Sequence, residues 1–245
     1  MRTIKKISPC HALAERNKRP PTNHIKATKA WTRFRRHKPS VTRTCYQEQF
    51  GLCCYSEISL DNVFSIRGLD NAELSRALGT HIEHIEPKFR NPRKTFEYTN
   101  LILSAIDDPS KRNLLKVDVF GGHAKQRMYH ATSFISPLLN NCSQYFHYEI
   151  SGRVVPKASL PTQREKAKAR LTIYILNLNS PILVEWRKVW LTELSKIIDE
   201  SSIQALEHIA EAELGPTNNL LRPFHSAQKQ MFGSIGTRVC AKYNL

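Results

Sequence analysis

The sequence predicts an α+β protein, and three local patterns carry that prediction. Short apolar clusters separated by polar, proline-containing connections occur within residues 45–130, which is typical of short strands joined by long loops. Residues 146–156 alternate polar and apolar side chains around a Ser-Gly turn, which indicates a β-hairpin. Apolar stripes with helical spacing follow in residues 171–210. We therefore expect the strands first and the longest helices last.

Length and composition limit the class of protein. The 245 residues are 40% hydrophobic and 24% charged, close to globular averages, and the glycines and prolines show no repeat. No apolar run is long enough to span a membrane, and the basic first residues lack the apolar stretch of a signal peptide. The six cysteines follow no disulfide or CxxC spacing. We expect a folded cytoplasmic protein with free thiols and no membrane partner.

Charge divides the chain into a strongly basic N-terminal arm, residues 1–44, and a nearly neutral remainder. The formal net charge is +16, from 37 Lys and Arg against 21 Asp and Glu. The arm contains thirteen of these cations and one acid, Glu15, so it carries +12 of the total. This excess favours a polyanionic partner, with nucleic acid ahead of an acidic membrane.

The densest basic stretch, residues 31–38, interleaves aromatic and cationic side chains. Rings among cations are typical of a phosphate-binding surface that also stacks bases. The candidate contacts are Arg33, Arg35 and Arg36. The alternative is a solvated basic tail ending in a short helix that packs Trp31 and Phe34 against the body. The sequence leaves both interpretations open.

Three amphipathic helices are predicted in the C-terminal part. The apolar stripes are Leu171, Tyr174, Ile175 and Leu178; Trp186 to Ile198, after Pro181; and Ile203 to Ala210, before Gly215-Pro216. No cluster of titratable groups interrupts them, so we expect these faces to form core or to dock a partner.

The chemically richest segment is the strand-like stretch 80–88. It places two histidines and two glutamates within six residues, among isoleucines: His81, Glu83, His84 and Glu86. Burying so many ionisable groups is costly unless they bind a ligand or each other. Asn100 follows His84 by sixteen residues, and His123 comes later, after two glycines. In chain order these three residues spell H, N and H.

This order of motifs resembles the HNH, or ββα-metal, endonucleases. More narrowly, the chain resembles the HNH nuclease subunit of Septu-type bacterial anti-phage systems, which is also found beside some retrons. The matching segments are 49–57, 81–88, 98–104, 134–137, 146–156 and 173–179. The resemblance implies a ββα-metal (HNH) nuclease core over residues 45–130, then a β-hairpin and a C-terminal helical domain over 131–245. It does not cover the basic arm.

The resemblance implies metal-dependent hydrolysis of DNA phosphodiesters, with RNA as another substrate. His84 would be the general base and Asn100 would orient its ring, while Glu83 and His123 would bind one Mg²⁺ or Mn²⁺. The reserve metal ligands are His81 and Asn113. The residues expected to line a phosphate track around the site are Lys88, Arg90, Arg93, Lys94 and Lys125.

The chain departs from these nucleases at their structural zinc, which two Cys pairs usually hold. Here Cys53 is accompanied by Ser56, Ala105 and Gly121 at the other three positions. One thiolate cannot complete a tetrahedral site, so we expect no structural zinc.

The resemblance also implies partners. Septu-type nucleases work with an ATPase subunit, and no G-x-x-x-x-G-K-[ST] phosphate loop occurs in this chain. The implied partners are DNA, the ATPase subunit of a defence complex and, beside a retron, the reverse transcriptase with its nucleic acid. The alternative is a catalytically inactive nucleic-acid-binding or ATPase-adaptor subunit that retains the HNH fold. The presence of all three H, N and H residues favours the nuclease.

Overall fold

The computed structural model describes residues 1–61 and 78–245, and within them helices and short strands are mixed. The α-helices are α1 (His11–Asn17), α2 (His24–Arg33), α3 (Lys38–Glu48), α4 (Asp108–Asn113), α5 (Gly122–Lys125), α6 (Gln163–Ile175), α7 (Pro181–Asp199), α8 (Ile203–Leu214), α9 (His225–Met231) and α10 (Gly233–Lys242). The strands are β1 (Thr80–His84), β2 (Leu101–Ala105), β3 (Phe146–Tyr148) and β4 (Val154–Pro156). The mixture agrees with the predicted α+β class. Among the described helices, none combines the length and apolar character needed to cross a membrane.

The first sheet is the antiparallel pair β1 and β2. Thr80 lies opposite Ala105 at one end, and His84 lies opposite Leu101 at the other. Every residue of β2 is buried, whereas most of β1 is only partly covered. Since alternate residues of a strand point to opposite faces, His81 and Glu83 share one face of β1. The sheet thus presents the ionisable residues of β1 beside a fully buried neighbour strand.

The N-terminal segment packs into the main core. Leu13, Trp31, Phe34 and Val41 are buried in the same cluster as β2. Asn23 caps α2 by accepting a hydrogen bond from the backbone N–H of Lys26, which satisfies a free donor at the helix start. The structure thus places Trp31 and Phe34 against the body, as in the second of the two interpretations. The three arginines near them remain exposed.

The segment around Leu52 to Tyr55, expected as a short strand, is instead a tight turn. Phe50, Gly51 and Glu57 all have positive φ, of 54°, 72° and 59°, which interrupts an extended backbone. The segment retains a single antiparallel bridge, from Leu52 to Ser59. The turn buries Cys53 and Cys54, and all six cysteines of the chain are free thiols.

The predicted hairpin and the three predicted helices are confirmed. β3 and β4 pair from Phe146 opposite Pro156, and the turn between them contains Gly152 at a φ of 84°. The predicted helices correspond to α6, α7 and α8, and α8 ends immediately before Gly215. The helices α9 and α10 were not predicted, because their short apolar patterns are interrupted by glycine and polar residues.

The buried face of α6 matches the predicted stripe only in part: Ile175 and Leu178 are buried as expected, and Tyr174 is not. The residues of α6 that are buried are Ala169, Thr172, Ile173 and Ile175. Tyr174, which was expected in the buried stripe, lies on the opposite face with 76% of its surface exposed. A large aromatic side chain therefore projects from α6 into solvent.

Glu57 connects the turn to the C-terminal helices. Its carboxylate accepts hydrogen bonds from the backbone N–H and the hydroxyl of Ser226, at 2.7 and 2.6 Å. Ser226 lies in α9, which also borders a second, smaller apolar cluster. That cluster contains Leu194, Ala210, Leu214, Phe232, Val239 and Cys240.

We expect acid to destabilise the protein partly through Glu57. Burial raises the pKa of this carboxyl, but the amino group of Met1 and the Ser226 hydrogen bonds outweigh burial and hold the pKa at about 2. The ionised group therefore stabilises the fold above roughly pH 4.5, and this stabilisation is lost as the pH falls towards 2. Urea unfolding across this range should show a flatter acid limb for Glu57→Gln. The exposed Glu185→Gln should retain the wild-type slope, and identical slopes for both variants would contradict the assignment.

Candidate active site

The candidate site lies where the chain leaves β1, between α2 on one side and α5 on the other. Trp31 of α2 packs edge-on against the ring of His84, with 4.7 Å between ring centroids. On the other side, Gly122 of α5 lies directly against His81 and Glu83. Adjacent strand residues point to opposite faces, so β1 directs His84 and Glu83 toward different neighbours.

His84 is buried and held in one tautomer. Its ring is 4% exposed, and Nε2 lies 3.0 Å from the backbone carbonyl oxygen of Thr95. A carbonyl oxygen can only accept a hydrogen bond, so Nε2 carries the ring proton and donates it to Thr95. Nδ1 then carries the lone pair of the ring, facing the Lys88 ammonium. A neutral imidazole held in this way can take a proton at Nδ1.

Lysine side chains stand beside that lone pair. The Nζ atom of Lys88 lies 3.4 Å from Nδ1 of His84. The ammonium groups of Lys38 and Lys88 lie 4.9 and 5.6 Å from the centre of the Trp31 ring. Burial and the charge of Lys88 lower the pKa of His84 to about 3, and burial lowers the pKa of Lys88 to about 8. The site thus combines a neutral histidine with cations that attract a phosphate.

Asn100 forms its side-chain hydrogen bonds with the loop after β1 and not with the His84 ring, so the orienting role that the resemblance implies would be indirect. Its Oδ1 accepts a hydrogen bond from the Glu86 N–H at 2.7 Å, and its Nδ2 donates to the carbonyl oxygens of Glu86 and Lys94 at 3.0 Å each. Thr95 follows Lys94 directly, so Asn100 positions the carbonyl that orients His84. Sequence reasoning missed Thr95 because a backbone carbonyl leaves no signature in the sequence.

Replacing Asn100 should therefore loosen the loop and misplace the base. Asn100→Ala removes three buried hydrogen bonds, for which we expect a loss of roughly 2–4 kcal/mol in the free energy of unfolding. Asn100→Asp keeps the acceptor but not the two donors, and it should lose most of that amount. Urea unfolding of both variants measures the effect. Full stability in Asn100→Asp would contradict the assigned donor role.

The opposite face of β1 carries a compact ionisable cluster. Nε2 of His81 lies 3.4 Å from one carboxylate oxygen of Glu83, and the Nζ atom of Lys125 lies 2.8 Å from the other. The rings of His81 and His123 are tilted together, with 4.4 Å between centroids. Burial raises the pKa of Glu83, but Lys125 and His81 outweigh it and hold the pKa at about 2. Glu83 is therefore ionised and charge-compensated.

Lys125, predicted to bind phosphate, is buried instead. Its side chain has no exposed surface, and its ammonium also donates to the backbone carbonyl oxygen of His84 at 3.2 Å. The single helical turn of α5 packs directly against β1, and this packing directs the Lys125 side chain inward. Lys125 compensates Glu83 and does not reach nucleic acid. The sequence indicated that Lys125 is basic but did not predict that it is buried.

The close approach of α5 to β1 depends on Gly122. A Cβ atom at this position would lie 2.7 Å from both the Glu83 carboxylate and Nε2 of His81. The backbone N–H of Gly122 donates to the hydroxyl of Ser104 in β2 at 3.0 Å. Gly122, one of the two glycines that precede His123, thus lets a helix contact the ionisable cluster.

His123 lies at the edge of the cluster and is mostly covered. Its Nε2 is buried and has no hydrogen-bond partner among residues 1–61 and 78–245, the nearest carboxylate oxygen being that of Asp108 at 3.7 Å. Burial and the neighbouring His81 lower the pKa of His123 to about 4, which leaves the ring neutral. Asn113, the other reserve ligand, is exposed at the end of α4.

The cluster offers oxygen and nitrogen donors to a divalent cation. The buried Nε2 of His123 has a free coordination position, and Glu83 supplies a carboxylate, a donor set that Mn²⁺ accepts and Mg²⁺ accepts in part. Within the described part of the chain, however, no group of three or more His, Cys, Asp or Glu side chains is arranged to hold a metal. Glu83 and His123 would therefore hold a cation only after the Glu83 carboxylate leaves the ammonium of Lys125.

The four positions that the resemblance assigns to zinc ligands lie close together. The Cys53 sulfur accepts a hydrogen bond from the backbone N–H of Ala105 at 3.2 Å and lies 3.9 Å from the Ser104 hydroxyl. Burial raises the pKa of Cys53, but hydrogen bonds from Cys54, Ala105 and Ser56 outweigh it and lower the pKa to about 5. A hydrogen-bond network thus joins the turn, β2 and α5.

The remaining predicted nucleic-acid contacts are accessible. Arg33, Arg35 and Arg36 line an open cleft of about 400 Å³, and Arg90 is exposed. Two further cations lie on aromatic rings: the ammonium of Lys38 is 4.9 Å from the centre of the Trp31 ring, and the guanidinium of Arg127 is 4.4 Å from the centre of the Phe89 ring. From the sequence alone, only the positive charge of Lys38 and Arg127 could be predicted.

No protein-family model matches the chain, and no curated protein matches it.

Proposed function

We propose that this protein is a metal-dependent HNH endonuclease that hydrolyses DNA phosphodiesters, with RNA as another substrate. It would act as the effector of a bacterial anti-phage defence system and work with an ATPase subunit, in some settings beside a retron reverse transcriptase. One observation carries the chemical part of the proposal. The carbonyl of Thr95 fixes the tautomer of His84 so that the free lone pair lies beside Lys88.

The side chains of the site suit hydrolysis of a phosphodiester. Nδ1 of His84 would take a proton from the attacking water, and the imidazolium so formed would be stabilised by its Nε2–H hydrogen bond to Thr95. Lys88 and Lys38 would attract the phosphate and offset its developing charge. Lys88 must swing away from Nδ1 as the phosphate arrives, because its ammonium covers that atom, and burial together with this charge holds the pKa of His84 at about 3, too low for a base near neutral pH.

Glu83 and His123 would hold the divalent cation. A cation there would supply Lewis-acid stabilisation of the charge that develops on a phosphate that reaches both faces of β1 at the end of the strand. The Glu83 carboxylate would leave its ion pair with Lys125 and coordinate the cation, while Lys125 would keep its hydrogen bond to the His84 carbonyl. His81 would keep the Glu83 carboxylate in place from the other side.

The second candidate is a catalytically inactive subunit that binds nucleic acid or acts as an ATPase adaptor. Two contacts favour it: Lys88 covers the lone pair of His84, and Lys125 occupies the Glu83 carboxylate. Both would have to yield before catalysis.

The experiment that separates the two candidates is cleavage of supercoiled plasmid and of total RNA. The full-length protein is incubated with Mg²⁺ or Mn²⁺, and with EDTA as a control, alone and with the ATPase encoded beside it if there is one. Metal-dependent cutting that requires His84 supports the nuclease. Binding without cutting under every condition rejects it and supports the inactive subunit.

A further inference from the structure

A groove of about 680 Å³ opens beside His123. Its walls come from the segment that follows α4, from α5, from β4 and from α6. Four cationic side chains line it, and no Asp or Glu of the described part of the chain is among its lining residues. The cations are Lys111, Lys116, Arg153 and Arg170. The groove therefore concentrates positive charge without a compensating acid in its walls.

These cations are not engaged elsewhere. Within residues 1–61 and 78–245, none of the four forms an ion pair with a carboxylate. Four cations around one concave surface repel each other, and a polyanion that enters the groove would relieve this repulsion. Nucleic-acid backbones carry the regular negative charge that such a surface fits.

The groove also offers an aromatic ring. Tyr174 lies on its wall, one helical turn after Arg170 on α6, and 76% of its surface is exposed. The buried stripe of α6 does not use this ring, so packing does not account for it. An exposed ring beside a guanidinium is a platform on which a nucleobase can stack.

The exposed ring of Tyr174 favours single-stranded over double-stranded nucleic acid. Bases inside a duplex stack on each other and present only their edges, whereas an unpaired base presents a face to an aromatic side chain. We infer that the groove binds a single-stranded segment of nucleic acid, with a base on Tyr174 and phosphates on Arg153 and Arg170. The assignment of this strand as the substrate of the nearby site rests on the proposed function.

A second cleft, near the lysine beside the candidate base, shares one lining residue with the groove. Gln126 lines both the groove and a smaller cleft of about 230 Å³, which also contains Lys88, Phe89 and Arg127. A strand seated on Tyr174 could therefore pass His123 and reach the lysine beside His84. The substrate class that this path favours is a single strand or a locally unpaired region of a duplex.

The test measures the affinity of full-length protein for labelled single-stranded DNA, single-stranded RNA and a matching duplex, by fluorescence anisotropy over a salt series. A His84→Ala background prevents cutting, and wild-type protein in EDTA is titrated in parallel in case that variant is unstable. Tyr174→Ala should weaken single-strand binding by about 5- to 150-fold, with the salt dependence unchanged. Tyr174→Phe should restore the affinity, and duplex binding should change little.

The contribution of the cations is measured by the salt dependence of binding. Arg153→Ala combined with Arg170→Ala should lower the slope of log affinity against log salt by about 1.4, since each phosphate contact on a single strand contributes about 0.7. The matched control is Arg164→Ala combined with Lys188→Ala, which removes the same charge outside the groove. The control should leave the single-strand preference intact.

The inference fails if the groove variants bind single strands as the control pair does. It also fails if a poly-glutamate peptide binds the groove while the oligonucleotides do not, because the groove would then take an acidic protein segment. The proposed function is judged separately. Cutting that depends on His84 without any effect of the groove variants would reject only the groove, and groove-dependent binding without cutting would reject only the nuclease.

Discussion

His84→Ala is expected to lower the rate of metal-dependent cleavage by about 10²- to 10⁴-fold, the usual contribution of a positioned general base. The reason is specific to one atom, because Nδ1 is the ring nitrogen left free by the Thr95 carbonyl. The affinity for substrate should stay close to that of the wild type, since His84 is buried behind Lys88 and Trp31 and makes no exposed contact. A cleavage assay under single-turnover conditions, paired with a binding titration, separates the two effects.

The change also removes a buried ring, so stability has to be measured in parallel. The Thr95 carbonyl loses its partner, which costs roughly 1–3 kcal/mol. His208→Ala in α8 is the matched control because its imidazole is exposed and remote from β1. If thermal melting shows His84→Ala folded and its cleavage rate equals that of His208→Ala, His84 is not the base.

Glu83→Gln is expected to destabilise the protein by roughly 3–5 kcal/mol, because it leaves the ammonium of a buried lysine without a counter-charge. Lys125 is fully buried and its nearest carboxylate oxygen, at 2.8 Å, belongs to Glu83. The neutral amide can still accept one hydrogen bond but cannot offset the charge. Urea unfolding of the variant measures the loss.

A double substitution tests whether the unpaired charge of Lys125 causes this loss of stability. Glu83→Gln combined with Lys125→Met removes both charges, and it should be markedly more stable than Glu83→Gln alone. The control pair is Glu193 and Lys196, which lie at a similar distance of 2.7 Å but on the surface of α7. Glu193→Gln should cost less than about 1 kcal/mol. Equal losses for the buried and the exposed glutamate would show that burial of Lys125 is not the source.

The parts of the fold that the sequence predicted have strong, regular patterns. The stripe from Trp186 to Ile198 and the hairpin around Gly152 repeat at helical or strand spacing over several residues, and both elements form. The N-terminal helices were hidden because their buried residues, such as Leu13 and Trp31, are sparse among cations. Charge dominated the pattern there, whereas packing of a few large side chains determines the structure.

The candidate site divides in a similar way. His84 could be selected from the sequence because ionisable side chains are unusual in an isoleucine-rich strand, whereas Asn100 was selected through the resemblance to the HNH nucleases. The Thr95 carbonyl, the position of Lys88 against Nδ1 and the burial of Lys125 depend on how the loop and α5 fold back. Such contacts join residues distant in sequence or involve only the backbone, so no spacing rule reveals them.

Because Trp31 packs edge-on against His84, a fragment that keeps the His84 pocket intact must include α2. The H, N and H residues span 84–123, yet one wall around the His84 ring comes from α2, far upstream and outside the segment that resembles the HNH nucleases. The basic segment is therefore both an electrostatic surface and a structural component of the pocket. A fragment defined by the motif alone would expose the His84 ring to water, so it would lose the low-dielectric surroundings that keep this imidazole neutral.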